Sequence, residues 1–235
     1  MDYANILIIA WGGNAYPEVI TVGCSDSTAL IIQAGIAAAN PGDKVLVCPG
    51  TYPGGILIDK PGLKLVAQGP IGTVVILGTG ASGPTFGVAV IADNVQIEGF
   101  EIVGFASIQY ASGILVGGTF VGDSAHPADW AFVQHNRIYN NANGIYLWHS
   151  NNNRITHNKI YNNKDLDGTM GDVVIFPRSA CEVGQPGLGT AKLAAAQGAD
   201  RALEDTKDTL GCQPRDNNFV FDLNWDGRLP VIVNI

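Results

Sequence analysis

Residues 135–163 read HNRIYNNANGIYLWHSNNNRITHNKIYNN, a stretch in which His-Asn-Arg-Ile-Tyr-Asn-Asn returns as His-Asn-Lys-Ile-Tyr-Asn-Asn. His135 matches His157, Asn136 matches Asn158, Ile138 matches Ile160 and Asn140 matches Asn162, each pair 22 positions apart. A constant offset is a period, and one unit of this length cannot bury its own apolar face. Stacked copies bury a continuous column, so the chain is read as a solenoid. Within each unit the apolar residues alternate over three to five positions, as in Arg154-Ile155-Thr156, Lys159-Ile160-Tyr161 and Gly144-Ile145-Tyr146-Leu147-Trp148. That is the period of a strand. Asparagine tolerates the left-handed backbone of a sharp corner, and its amide can bond to the copy above and below. The Asn pairs are therefore corners.

The same grammar runs upstream. NVQIEGFEIVGF at 94–105 sets Ile102 at the position of Ile138, and GILV at 113–116 matches GIYL at 144–147. Downstream, GDVVIF at 171–176 continues it, and about six coils follow. Ahead of them, DSTALIIQAGIAAANPGDKV reads as a helix capped by Asp26 or Ser27. Ile32 and Ile36 share its apolar face, and Asn40-Pro41-Gly42 ends it. Such a helix covers the open apolar end that a solenoid's first coil would otherwise expose. The expected organisation is one domain: an N-terminal segment with the capping helix over 1–44, coils over 45–176, an excursion over 177–216 and final coil strands over 217–235. The excursion contains a predicted helix over 192–208.

Composition agrees with many short strands joined by tight turns, since 30 residues are glycine and only 14% are charged. The formal charge is −8 and no run of lysine or arginine occurs, which argues against nucleic acid and anionic lipid as partners. The longest apolar run near the start, Ile6 to Trp11, follows Asp2 and is too short for a signal core, and no segment is long enough for membrane insertion. Four cysteines fall as two local pairs, Cys24 with Cys48 and Cys181 with Cys212. This permits two disulfides in an oxidising compartment, with free thiols as the alternative; no CxxC or CxxH spacing suggests zinc. The expected location is secreted, cell-surface or periplasmic, the signal having been removed.

IQAGIAAANPGDKVLVCPGTY, then ADNVQIEGFEIVGF, then NRIYNNANGIYL resembles the right-handed parallel β-helix (pectin-lyase-like) superfamily, and within it the NosD-like repeat proteins. The likeness runs from about Ser27 to Phe176, with a looser return over 217–235. It implies an all-β fold, a right-handed parallel β-helix with an N-terminal capping helix and a long loop excursion near the C-terminus. It is specific for core, corner and cap positions and poor for function.

Alternation places Ile114, Val116, Ile145, Leu147, Val173 and Ile175 inward. Leu115, Tyr146 and Val174 then form one outward row, and Gly117, Trp148 and Phe176 the next. The segments on both sides of this strand vary in length from coil to coil, so it reads as a trough between loops. A sugar's apolar face packs on an aromatic ring while polar rims bond its hydroxyls. Tyr146, Trp148, Phe176 and His149 are thus the candidate polysaccharide-binding residues. In enzymes of the resembled superfamily the substrate lies along the corresponding sheet. The same row could equally be buried beneath the excursion or against a second subunit.

Catalytic residues are not identifiable from the sequence. A uronate-active lyase, the first alternative function, needs cations beside the sugar carboxylate and a base, for which Lys159, Arg137 and Arg178 are the available groups. Arg137 and Lys159, however, align with Glu101 on a strand apart from the trough, as a surface ladder would. Asp165, Asp167 and Asp172 on one side, with Asp123 and Asp129 on the other, could serve Ca2+, although solvated turns explain them better. His135 and His157 could bind a transition metal, copper being the metal the resemblance suggests, but a repeated corner explains their repetition. His126 and His149 stand alone. The polygalacturonase residue set and the Asp-Pro-His of alginate epimerases are missing. The second alternative is a structural module, a homo-oligomer or a downstream domain stacking on the final LPVIVNI strand.

Overall fold

Ile102, Ile138 and Ile160 lie on successive layers, paired in parallel register. The computed structural model describes residues 16–79, 83–106, 111–117, 128–148, 150 and 152–163, and the backbone of four later strands. In chain order the elements are β1 (Val19–Val22), α1 (Ile32–Ala38), β2 (Lys44–Val47), β3 (Gly50–Pro53), β4 (Ile56–Ile58), β5 (Lys64–Ala67), β6 (Val74–Leu77), β7 (Phe86–Val90), β8 (Gln96–Glu98) and β9 (Glu101–Val103). They continue as β10 (Ser112–Val116), β11 (Phe132–Gln134), β12 (Arg137–Tyr139), β13 (Asn143–Trp148), β14 (Arg154–Thr156), β15 (Lys159–Tyr161), β16 (Val173–Phe176), β17 (Ala191–Leu193), β18 (Asn218–Phe221) and β19 (Val231–Asn234).

Each winding from β2 to β16 gives one strand to each of three sheets. Sheet A is ordered β1-β2-β5-β8-β11-β14-β18-β19, sheet B β3-β6-β9-β12-β15 and sheet C β4-β7-β10-β13-β16-β17. All the pairings are parallel except the last in sheets A and C, where β19 and β17 run antiparallel. Parallel neighbours cannot be joined by a hairpin, so the chain must travel round the other two sheets before returning. The result is a parallel β-helix. Its interior is a column of Val, Ile and Leu: Val45, Leu65, Ile97, Val133 and Ile155 from sheet A meet Ile76, Ile102 and Ile138 from sheet B and Val88, Ile114 and Ile145 from sheet C.

The corner between sheets A and B needs only two residues. His135 and His157 take left-handed φ values of 54° and 56°, and Gly99 takes 88° in the coil above. The following residue turns inward: Phe100, then Asn136, then Asn158, all fully buried. Asn136 Oδ1 accepts from Phe100 N (3.0 Å), and Asn136 Nδ2 donates to Asn158 Oδ1 (3.0 Å) and to Ile97 O (3.1 Å). A second ladder follows sheet B, where Asn141 bonds Phe105 N and Asn163 in the same way. These are the expected corner asparagines: the first of each pair, Asn140 or Asn162, supplies the positive φ, and the second supplies the buried amide.

Several expectations need correction. The helix has Ile31, whose side chain carries no acceptor, as its N-cap, while Ser27 Oγ accepts from Cys24 N (3.0 Å) in a local turn four residues earlier. The coil also begins before the helix, since β1 already pairs in parallel with β2. Residues Ala191–Leu193 are extended and pair with β16, not helical; the open edge of sheet C offers a hydrogen-bonded ladder that outweighs the modest helix propensity of Ala, Lys and Leu. Finally, β19 does not continue the winding but folds back on β18. Ile32 and Ile36 are buried as expected, and Cys24 and Cys48 form a disulfide. Cys181 and Cys212 lie outside the described residues, as does most of the excursion.

Candidate functional site

The outward row of sheet C is oriented as its alternation predicts, yet it is not bare. Ala89, Leu115 and Tyr146 form a second buried cluster on the outer face, flanked by the partly buried Leu57, Phe86 and Trp148. Tyr146 is 1% exposed, so its ring cannot offer a face to a ligand in this state. At this position the burial fits the covered alternative of the two that the sequence left open, since alternation fixes which face a side chain occupies, not whether that face is covered. Trp148 remains half-buried at the end of β13, its indole stacked on Tyr146 with centroids 5.9 Å apart and planes 14° apart. Tyr146 therefore backs Trp148. Phe176 is the register partner of Trp148 on β16, but its side chain, like His149 and Arg178, lies outside the described residues.

The cationic candidates sit elsewhere. Arg137 bonds Glu101 Oε2 (3.0 Å), and Tyr139 donates its hydroxyl to Glu101 Oε1 (2.7 Å). Lys159 lies over the ring of Tyr161 at 5.3 Å, and Tyr161 stacks on Tyr139 with centroids 5.0 Å apart. All of these side chains project from sheet B. The structure thus pairs Arg137 with Glu101 on sheet B, a sheet other than that of Trp148, and places Lys159 on that same sheet B. The hydrogen bond to Glu101 and partial burial push the Tyr139 phenol up to about 12.

Asp165, Asp167, Asp172 and Asp123 lie outside the described residues, and His126 with them. His135 and His157 do come together, rings stacked with centroids 5.0 Å apart, and Glu98 Oε1 lies 3.6 Å from His135 Nδ1. Among the described residues, however, no group of three His, Cys, Asp or Glu is placed to hold a metal ion. No described helix is long and apolar enough to cross a membrane.

One residue escaped the sequence reading. Trp130 is 57% exposed and holds a left-handed φ of 63° at the corner leading from sheet C into β11. Extending the 22-residue offset upstream would have found it, because Trp130 falls on Asn152.

A chain wound in this way, with an aromatic rim on one sheet and amide ladders at its corners, is a parallel β-helix protein of the repeat type. Residues 96–172 match the family model of NosD, described as a periplasmic copper-binding protein, which bears out the resemblance over those coils. Among solved structures, pectin methylesterase in complex with hexasaccharide VII is 17% identical, with a TM-score of 0.41, over 62% of this chain and 50% of that one. A mutant of pectin methylesterase in complex with hexasaccharide IV is 15% identical, with a TM-score of 0.36, over 67% of this chain and 59% of that one. The chain thus spans little more than half the length of these structures. No curated protein matches it.

Proposed function

We propose that this chain is an extracytoplasmic β-helix protein that recognises polysaccharide at the rim of sheet C. The observation that carries the reading is Trp148, half-buried and seated on the ring of Tyr146. An indole backed by a buried ring is held rigidly, so a sugar that packs against it orders little in return. The Cys24–Cys48 disulfide fits an oxidising compartment, and the NosD family is named as periplasmic.

Native electrophoresis through gels containing single polysaccharides, neutral and acidic, tests this. At least one polymer is expected to retard the protein, and Trp148→Ala is expected to weaken that retardation about tenfold, as loss of an aromatic anchor commonly does. Free migration of the wild-type chain through the whole series would sink the proposal.

A further inference from the structure

The corner entering sheet A repeats in three coils. The registers of β8, β11 and β14 place Asn94, Trp130 and Asn152 in one column, with φ values of 59°, 63° and 56°. Asparagine suits this backbone, because its short amide can bond locally and relieve the crowding of a left-handed residue. Tryptophan has no such compensation and is bulky, so the middle coil holds a strained residue where both its neighbours hold the residue that fits. The strain is not repaid by burial: among the described residues after α1, Trp130 is the most exposed large apolar side chain.

The residues next to Trp130 in the chain and in register are polar. Asp93 and Asp129 immediately precede Asn94 and Trp130, and Asp93 Oδ1 accepts from Asp129 N (2.8 Å). Asn94 N donates to Asp129 O (2.9 Å), tying the two layers of the corner together. An exposed indole in a corner built of aspartate and asparagine matches a pyranose: the C–H face packs on the ring while hydroxyls donate to carboxylates and exchange bonds with amides. The acceptor-only carboxylates would repel a uronate, sulfate or phosphate.

We infer that Trp130 is a carbohydrate-stacking residue for a neutral glycan, with Asp93, Asn94 and Asn152 as its polar rim. The inference rests on the polysaccharide reading above but assigns a second contact, at a different corner, and a charge class. Strain retained at an exposed aromatic is the mark of a functional site rather than a packing site.

The test uses the whole chain and two variants, Trp130→Asn and Trp148→Ala, run in gels containing a neutral galactan, a neutral glucan or polygalacturonate. Trp130→Asn installs the residue that neighbouring coils use, so its thermal midpoint is expected to equal or exceed that of the wild type. Its retardation by a neutral polymer is expected to fall about tenfold. Trp130→Tyr, which keeps a ring, is expected to retain part of the retardation. A neutral polymer that retards Trp130→Asn as strongly as wild type overturns the inference. If Trp148→Ala alone loses binding, the rim proposal stands and this one fails. If Trp130→Asn alone loses it, the reverse holds. Retardation by polygalacturonate only overturns the neutral assignment. Loss of concentration-dependent self-association in Trp130→Asn, with polymer binding unchanged, overturns it in favour of contact with a second copy.

Discussion

At the scale of the residue, the corners show how a polar side chain becomes part of a core. Asn136 is fully buried, a position that would be costly if its amide lacked partners. Its oxygen instead satisfies Phe100 N, and its nitrogen reaches Ile97 O and Asn158 Oδ1. Asn136→Ala would leave the Phe100 N–H without its acceptor, and the expected loss is about 2–3 kcal/mol in urea unfolding. Thr156 presents the opposite case: its hydroxyl is buried with no hydrogen-bond partner. Thr156→Val keeps the shape and removes the desolvation penalty, so a gain of about 1 kcal/mol is expected in the same assay. Tyr139 gives a spectroscopic check. Hydrogen bonding to Glu101 raises its phenol to about 12, so its contribution to stability is complete below the ordinary tyrosine value of about 10 and lost as pH rises through the native value. Ultraviolet difference titration of wild type against Tyr139→Phe should therefore show one late-ionising phenol missing from the variant. A missing phenol that ionises with the bulk of the tyrosines would refute the assignment.

At the scale of the element, the first coil is closed by side chains imitating backbone. Among the described residues β4 is the edge strand of sheet C; Gln33 from α1 lies beside it, accepting from Leu57 N (2.8 Å) and donating to Leu57 O (3.2 Å). Lys60 Nζ in turn caps α1, donating to the carbonyls of Ile36 (2.8 Å), Ala37 (2.9 Å) and Ala39. A cation there also complements the negative end of the helix. None of this is visible in the sequence, because it depends on residues 21 to 24 positions apart meeting across a layer. What is visible is the apolar phase: Ile138 and Ile160 announce their stacking because each core position repeats the same chemistry. The helix start was misread for a local reason, since Ser27 is as good a turn residue as a cap. Asp43 joins these elements, accepting from Glu18 N and Asn40 N at 2.7 Å each. Those bonds, that from Glu18 foremost, hold its carboxyl below the usual carboxylate range. The stability it adds is therefore present above the unfolded value near 3.9 and lost as pH falls through the lower native one. Acid unfolding should show Asp43→Asn less stable than wild type at neutral pH, with the gap narrowing in that acidic window; a gap independent of pH would argue against it.

At the scale of the molecule, a solenoid has no long-range core, because each coil touches only the layers above and below it. This is why the fold was legible from one 22-residue echo, while the site was not. Periodicity reports what repeats, whereas the tryptophan at 130 and the burial of the outward Tyr146 are not set by the repeat. The same one-dimensional logic governs the Cys24–Cys48 disulfide, which links the segment after β1 to the end of β2 across a sequence separation of 24. On the chain-entropy view, closing a loop of that size stabilises by about 3 kcal/mol. In a globular core that loss would spread through the whole domain. Here it should remain local. Replacing both cysteines by serine is expected to speed amide exchange in β1, α1 and β2, and to leave the Asn-laddered coils from β11 to β15 close to wild-type protection. Hydrogen exchange read by mass spectrometry, peptide by peptide, checks this directly. Uniform loss of protection from β1 to β15 would show instead that the coils unfold as a single cooperative unit, and that the disulfide clamps the entire column from its N-terminal end.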